Sequence, residues 1–198
     1  MHVMRKAIFF MCDQYADWEG AYLSSQLNQK DDWQVITASV TPIVTSIGGF
    51  KTQVDETLNE LSQNADLLIL IGGDSWKQDY PKLTATIRAY LKQGKAVGAI
   101  CGAVDYLARN GLLTGYQHTG NAQFLWNGDR QYTNPQDFQE KQVVRDRNLI
   151  TANGTATLDF TDSILSSLFT KQSSTHREME LQRLGFYRYV ELYGNPYQ

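Results

Sequence analysis

The fold is decided by residues 95–110, which read KAVGAICGAVDYLARN. The first six residues, 95–100, form an apolar and partly β-branched run that predicts a buried strand. The stretch 103–110 has the apolar spacing of a helix and is followed by a glycine. Cys101 therefore falls at a sharp turn from a strand into a helix. Such a turn tolerates only small residues two positions to either side of it, and these are Ala99 and Ala103 here, with Gly102 directly after the cysteine.

Segments on both sides of this stretch alternate between strand and helix patterns. The predicted strands are 7–11, 33–38, 67–71 and short runs near 143–144 and 149–151, with a hairpin over 41–54. The predicted helices are 17–29, 55–63, 80–93 and about 155–168. Continuous apolar strands that alternate with helices predict an α/β fold, a doubly wound and mostly parallel sheet with helices on both faces.

The C-terminal part predicts one more helix over 173–193. Its apolar face is broader than a one-sided surface helix needs, since Leu181, Leu184 and Tyr187 widen the stripe formed by Met179 and Tyr193. Two arrangements explain this: the helix packs on its own sheet, or it forms the contact of a homodimer. We therefore divide the chain into a domain over 1–172 and a helical extension over 173–198.

Composition narrows the class of protein. The 198 residues are 42% hydrophobic and 20% charged, with a net charge of −3, which is typical of one globular domain. No Lys/Arg cluster points to nucleic acid or to an anionic membrane surface, and no apolar run is long enough to span a bilayer. The apolar run 7–12 is too short for a signal peptide. Cys12 and Cys101 are expected to be free thiols in a reducing, cytoplasmic compartment.

Cys101 allows two interpretations. A free cysteine is often a small buried core residue. At the start of a helix, however, unpaired N–H groups and the positive dipole end favour a thiolate, which is the form that acts as a nucleophile. The small flanking residues favour the second interpretation, which predicts a reactive thiol with a lowered pKa. Cys12 follows the first strand and is interpreted as a core residue, with a resolving thiol as the alternative.

Glu19 lies in the first turn of a predicted helix, beside Trp18. The helix follows the first strand, so its start and Cys101 lie at the same edge of a parallel sheet. Burial and the nearby thiolate would raise the pKa of this carboxyl, and the protonated form could donate a hydrogen bond to sulfur. The alternative is a solvated acid that complements the helix dipole.

Gly72 and Gly73 end the strand over 67–71 at the same edge. Their N–H groups, together with that of Gly102, could form an oxyanion hole. The alternative is an ordinary glycine turn after a strand. Trp76 follows in the same loop, where it either walls the pocket or packs on the surface.

These residues resemble the DJ-1/PfpI family, within the class I glutamine-amidotransferase-like superfamily. The resemblance extends from residue 5 to about residue 170. It is carried by Glu19, Leu70-Ile71-Gly72-Gly73, Ala99-Ile100-Cys101-Gly102-Ala103, Leu112-Leu113-Thr114-Gly115 and Thr151-Ala152-Asn153-Gly154-Thr155-Ala156. A tryptophan soon after Gly-Gly, as Trp76 is here, is similar to an uncharacterised bacterial branch of the family.

The resemblance implies a three-layer, flavodoxin-like sandwich and a reactive Cys101 contacted by Glu19. It also implies that Gly73 and Gly102 supply oxyanion N–H groups. Members of the family are variously assigned as cysteine peptidases, hydratases, glyoxalase-like or deglycase enzymes, chaperones and stress proteins. The fold and the cysteine turn alone do not choose among these activities.

The histidines depart from the pattern of many relatives. A catalytic cysteine usually needs a base, and relatives carry a histidine where this chain has Asn121, whose amide cannot accept the thiol proton. His118, three residues earlier, is either a displaced base or a structural residue. His176 and Glu178 have the spacing of an amidotransferase pair but lie in the predicted tail helix, so glutamine hydrolysis is disfavoured.

Three functions remain open. The first is a small cysteine hydrolase, peptidase- or amidase-like, or a glyoxalase- or deglycase-like enzyme, acting on a small molecule or a peptide. The second is a non-enzymatic redox or stress-response sensor that uses the same cysteine. A binding module with a vestigial pocket is a third possibility. No phosphate loop, dinucleotide motif or metal-ligand spacing is present, so we expect no cofactor and no metal. We also expect a homodimer.

Overall fold

A seven-stranded sheet forms the centre of the protein. The computed structural model describes residues 4–169 and 173–198, and for 173–175 it describes the backbone alone. The strands are β1 (Arg5–Phe10), β2 (Trp33–Ser39), β3 (Ile43–Thr45), β4 (Lys51–Gln53), β5 (Glu56–Thr57), β6 (Leu67–Leu70), β7 (Ala96–Ile100), β8 (Val143–Asp146) and β9 (Leu149–Ala152). Their order in the main sheet is β5-β2-β1-β6-β7-β9-β8, while β3 and β4 pair as a separate hairpin.

All neighbours in the main sheet are parallel except β8 and β9, which pair antiparallel at one edge. The central strands β1, β6 and β7 are continuous apolar runs because both of their faces are covered. The helices are α1 (Asp17–Asn28), α2 (Pro81–Lys92), α3 (Gly102–Arg109), α4 (Thr157–Leu168), α5 (Ser173–Leu184) and α6 (Phe186–Tyr193).

Two hydrophobic cores, one on each face of the sheet, confirm the three-layer α/β prediction. One core joins the even-numbered β1 residues, such as Ile8, to Ile87 of α2 and Leu107 of α3. The other joins the odd-numbered residues, such as Phe9, to Leu23 of α1 and to residues of α4 such as Ile164. The alternation of side chains along each strand therefore assigns α2 and α3 to one face and α1 and α4 to the other.

Two predicted helices differ from the structure. Residues 55–63 form the short strand β5 and a turn. Asp55 is held at the end of β2, because it accepts from Thr37 N at 2.8 Å, and Glu56 pairs with Ala38 in the sheet. Within the segment, Glu56 accepts from Ser62 N at 2.9 Å, and such a local bond competes with helix formation. The tail consists of two helices instead of one, since Gly185 adopts φ +74° between them.

The tail packs against α4 of the same chain. Met179 of α5 is completely buried, and the Arg183 guanidinium bonds Asp159 at 2.7 Å and Asp162 at 3.4 Å. His176 bonds the same Asp162 at 3.0 Å. On α6, Tyr187 and other aromatic side chains remain exposed. None of the helices within the described ranges has the length and apolar character needed to cross a bilayer.

Met179→Ala should lower the free energy of unfolding by about 2–4 kcal/mol, because it opens a cavity under α5. Leu192→Ala is the matched control, since Leu192 is 50% exposed and its loss should cost less than about 0.5 kcal/mol. Urea unfolding of both variants measures the difference. Equal effects would show that α5 is not packed as the structure has it.

Candidate active site

Cys101 occupies a strained turn between β7 and α3. Its backbone has φ 58° and ψ −129°, a conformation that residues with a side chain rarely adopt. Hydrogen bonds on both sides hold this conformation: Cys101 N donates to Ala152 O at 3.0 Å, and Val104 N donates to Cys101 O at 2.9 Å. The turn thus has the geometry of a nucleophile elbow, which lifts the side chain of Cys101 above the end of the sheet.

Three glycines make room for the Cys101 side chain. A Cβ on Gly72 would lie 2.6 Å from Cys101 Cβ, and a Cβ on Gly154 would lie 2.9 Å from the sulfur. A Cβ on Gly102 would lie 2.6 Å from the carbonyl oxygen of Gly73. Any side chain at these positions would displace the sulfur or the loop that carries Gly73.

Glu19 of α1 reaches the sulfur from beneath. The side chain is only 1% exposed, its Oε2 accepts from Gly72 N at 2.8 Å, and its carboxylate accepts a hydrogen bond from the Cys101 thiol. Burial raises the pKa of Glu19 to about 7, although the hydrogen bonds from Cys101 and Gly72 oppose the shift. Of the two readings of Glu19 from sequence, the structure therefore corresponds to the buried acid with a raised pKa.

The Cys101 thiol differs from the expectation of a lowered pKa. Burial raises its pKa, the nearby Glu19 charge raises it further, and the donors Asn121 and Gly102 N–H only partly compensate. Desolvation and the negative charge of Glu19 thus raise the thiol pKa by more than the helix N-terminus lowers it. Since the two acids are in contact, they titrate as a pair. The carboxyl loses its proton near pH 7 while the thiol keeps its own, so the thiolate would form by transfer of the thiol proton to Glu19.

Asn121 contacts the sulfur from the solvent side. Its Nδ2 lies 3.2 Å from Cys101 Sγ, and its Oδ1 accepts from Gly154 N at 2.9 Å. Asn153 steadies the same loop, because its Nδ2 donates to Gly120 O and Asn121 O. The bond from Gly154 turns the NH₂ end of the Asn121 amide toward sulfur, where it supplies a hydrogen bond but cannot take up a proton.

His118 does not serve as the base of this site, so its candidacy as a catalytic residue is corrected. The ring is completely buried, with Nδ1 bonded to Tyr116 O and Nε2 bonded to Tyr132 OH, each at 2.8 Å. Trp126 and Phe138 pack against its faces and edges. Burial lowers the pKa of His118 and favours the neutral ring. Both nitrogens are occupied, so His118 supports the loop that carries Asn121.

Gly73 and Gly102 line the cleft together with Cys101. Gly102 begins α3, so its N–H has no helical partner. The bonds that flank Gly73, Ala16 N to Gly72 O and Asp74 N to Gln14 O, leave the Gly73 N–H without a partner in the part of the chain that the structure describes. Gly73 adopts φ +141° with its Cα against Tyr15, which only glycine accommodates. These two groups are suited to bind a developing oxyanion.

Trp76 closes the cleft above α3. The ring is buried against Phe10 and Tyr106, and its Nε1 donates to Ile71 O at 2.7 Å. The cleft in front of Cys101 has a volume of about 430 Å³ and includes Trp76 in its wall. Trp76 therefore lines the pocket, and the rest of its ring packs in the core instead of on the surface.

Two charged residues of α3 also line this cleft and were missed by sequence reasoning. Asp105 accepts from Trp126 Nε1 at 2.7 Å, and burial raises the pKa of its carboxyl. Arg109 donates to Trp76 O at 2.6 Å and so holds the loop after Gly73. Their spacing of four and eight residues from Cys101 places all three on one helix face, which was the available signal.

Cys12 lies in the core. It is buried, and that burial raises its pKa to about 12 despite a hydrogen bond with Tyr80. Within the described ranges, no group of three or more His, Cys, Asp or Glu side chains is arranged to hold a metal ion.

The fold and this turn together define a flavodoxin-like α/β protein with a thiol held at a nucleophile elbow. A sequence profile of the DJ-1/PfpI family matches residues 5–167, and the chain belongs to that family. The resemblance drawn from the motifs is thereby confirmed.

Relatives and a solved structure agree with this assignment. A Bacillus subtilis (strain 168) protein named "Uncharacterized protease YdeA" is 50% identical over 195 residues, which cover 98% of this chain and 99% of the relative. A second protein of that organism, "Uncharacterized protease YoaZ", is 34% identical over 175 residues, or 83% of each chain. The crystal structure of the thiJ/pfpI family protein from Bacillus anthracis has a TM-score of 0.84 and 30% identity, covering 92% of each chain.

Glu19→Gln should shift the formation of the Cys101 thiolate to lower pH. The substitution removes the negative charge that contributes to the raised thiol pKa, so the alkylation profile should move to lower pH. The rate of iodoacetamide alkylation from about pH 6 to about pH 9, read by intact mass, measures it. Cys12 is the internal control and should stay unlabelled in the folded protein. An unchanged profile, or one moved to higher pH, contradicts the coupling.

Proposed function

We propose that the protein is a small cysteine-dependent enzyme, peptidase- or amidase-like or glyoxalase- or deglycase-like, in which Cys101 adds to the carbonyl carbon of its substrate. The observation that carries the proposal is the buried Glu19 carboxyl bonded to the Cys101 thiol, with a pKa of about 7. A group that titrates near neutral pH can both take and return a proton during turnover. The names of the two Bacillus subtilis relatives support a hydrolytic reaction.

The reaction begins when the Cys101 thiol passes its proton to the Glu19 carboxylate. Sulfur then forms a bond to the carbonyl carbon, and the negative oxygen accepts hydrogen bonds from the N–H groups of Gly73 and Gly102. With an amide substrate, protonated Glu19 gives its proton to the departing nitrogen as the C–N bond breaks, which leaves a thioester. Water hydrolyses the thioester, and the sulfur recovers its proton.

An aldehyde reaches a covalent adduct with Cys101 in fewer steps. Sulfur adds to the carbonyl, and Glu19 returns the same proton to the new oxygen, which gives a hemithioacetal without loss of a leaving group. Because Asn121 stands where an imidazole would be the stronger proton acceptor, the site favours activated carbonyls and weak amide bonds over rapid cleavage of folded proteins.

A second function, redox sensing, is favoured by the position of the sulfur. Cys101 is half-buried and reachable from the cleft, and the neutral form of Glu19 can donate a hydrogen bond to an oxidised sulfur. Asn121 Nδ2 is a further donor at 3.2 Å. A stress-response role would follow from this chemistry.

The proposal also includes a homodimer and a cytoplasmic location. The exposed aromatic side chains of α6, Phe186, Tyr187 and Tyr193, support a homodimer contact formed by the tail, and two free thiols support a cytoplasmic location. Truncation before Ser173 followed by sedimentation tests the contact.

Cys101→Ser should lower turnover by at least about a hundredfold, because serine is a far weaker nucleophile without a strong base. Methylglyoxal, short amides and fluorogenic peptides form the panel of substrates, and product formation is measured for each. Cys12→Ser is the matched control and should keep the wild-type rate. Turnover that is equal in the wild type and in Cys101→Ser rules out the proposed mechanism.

Dilute hydrogen peroxide should add oxygen to Cys101 in preference to Cys12 and to methionine if the sensor function holds. Intact mass and peptide mapping of the wild type and of Glu19→Gln measure the oxidation and its reversal by thiols. Addition that is random over the methionines would eliminate the sensor.

A further inference from the structure

A second hollow lies beside the cleft of Cys101. It has a volume of about 580 Å³, which falls within the roughly 300–1,000 Å³ of ordinary ligand sites. Asn121 lines both spaces, and its Nδ2 points at the sulfur. We call this space the Phe124 hollow, after the residue whose ring is 70% exposed at its wall. A molecule attacked at Cys101 can therefore extend past Asn121 into the Phe124 hollow.

Gln123 and Gln142, which line the hollow, each have one amide atom without a hydrogen-bond partner in the described part of the chain. The Gln123 amide donates to Pro135 O at 2.6 Å and to Tyr132 OH at 3.2 Å, while its Oε1 has no partner in the described part of the chain. Gln142 Oε1 accepts from Thr155 Oγ1 at 3.1 Å, while its Nε2 has none there. The hollow thus offers one free acceptor and one free donor, which match the N–H and C=O of a peptide unit.

The remaining walls favour a neutral occupant with an apolar group. Phe124 and Phe138 supply aromatic surface. Glu140 and Lys141 contribute opposite charges at the rim, so the hollow has no excess of either sign. An anion or a cation would gain little here, whereas an amide chain with an apolar side chain satisfies both kinds of wall.

We infer that the Phe124 hollow is a binding subsite for an extended peptide chain whose attacked carbonyl lies at Cys101. One peptide unit bonds to Gln123 Oε1 and Gln142 Nε2, and its side chain packs on Phe124. The inference rests on the proposed function for the attack itself, and it specifies the substrate as a peptide that spans both spaces instead of a two- or three-carbon aldehyde.

The test is protection of Cys101 from iodoacetamide by a ladder of N-acetylated, leucine-containing peptide amides of one to five residues. For the full-length wild type, the five-residue peptide should protect at about tenfold lower concentration than the one-residue amide. Phe124→Ala should lose most of this gain, and Gln142→Leu should lose part of it. Leu125→Ala is the matched control, because Leu125 is the next residue, is 52% exposed and does not line the hollow.

Equal protection by one and five residues, or equal behaviour of Phe124→Ala and Leu125→Ala, overturns the inference. Cleavage of the five-residue peptide is measured in parallel. If protection follows the ladder but no peptide is cleaved, the subsite stands and the hydrolytic function fails. If wild type and Phe124→Ala cleave it equally, the function stands and the subsite fails.

Discussion

The site depends on the contact between the buried Glu19 carboxyl and the Cys101 thiol. Glu19 is removed from water beneath the Cys101 turn, and the N–H of Gly72 and the thiol of Cys101 stabilise its charge. Burial raises the pKa of both acids, which brings the carboxyl into the neutral range and leaves the thiol protonated there. The thiol proton can therefore pass to the carboxylate. In the proposed mechanism, this transfer accompanies the attack of sulfur on an electrophile.

The rest of the architecture keeps that contact in place. The sheet brings the ends of β1, β6 and β7 together, so α1, the Gly72 turn and the Cys101 turn meet although they are distant in sequence. The backbone strain at Cys101 is held by bonds to Ala152 and Val104, and glycine at 72, 102 and 154 leaves space for the sulfur. On the open side, the Asn121 amide supplies a hydrogen bond to the sulfur at 3.2 Å.

The sequence predicts those parts of the molecule that depend on local pattern. Apolar runs with both faces covered predict β1, β6 and β7, and small residues around Cys101 predict its turn. The prediction of a helix over 55–63 was wrong, because the Asp55 and Glu56 carboxylates accept hydrogen bonds from backbone N–H groups and hold the segment in a strand and a turn. The lowered pKa expected for Cys101 differs from the raised pKa that burial favours, because desolvation depends on what packs around the sulfur. The Phe124 hollow lies beyond sequence reasoning, since loops from 119–124, 138–142 and 153 form it together.

Infrared difference spectroscopy of the Glu19–Cys101 pair tests the central claim most directly. Spectra of the wild type against Glu19→Gln and Cys101→Ser assign the C=O stretch of the protonated carboxyl and the S–H stretch of the thiol. The carboxyl band should disappear with a midpoint near pH 7, and the S–H band should persist to higher pH. A carboxyl that is already ionised at about pH 5, the range of an ordinary glutamate, would contradict the account.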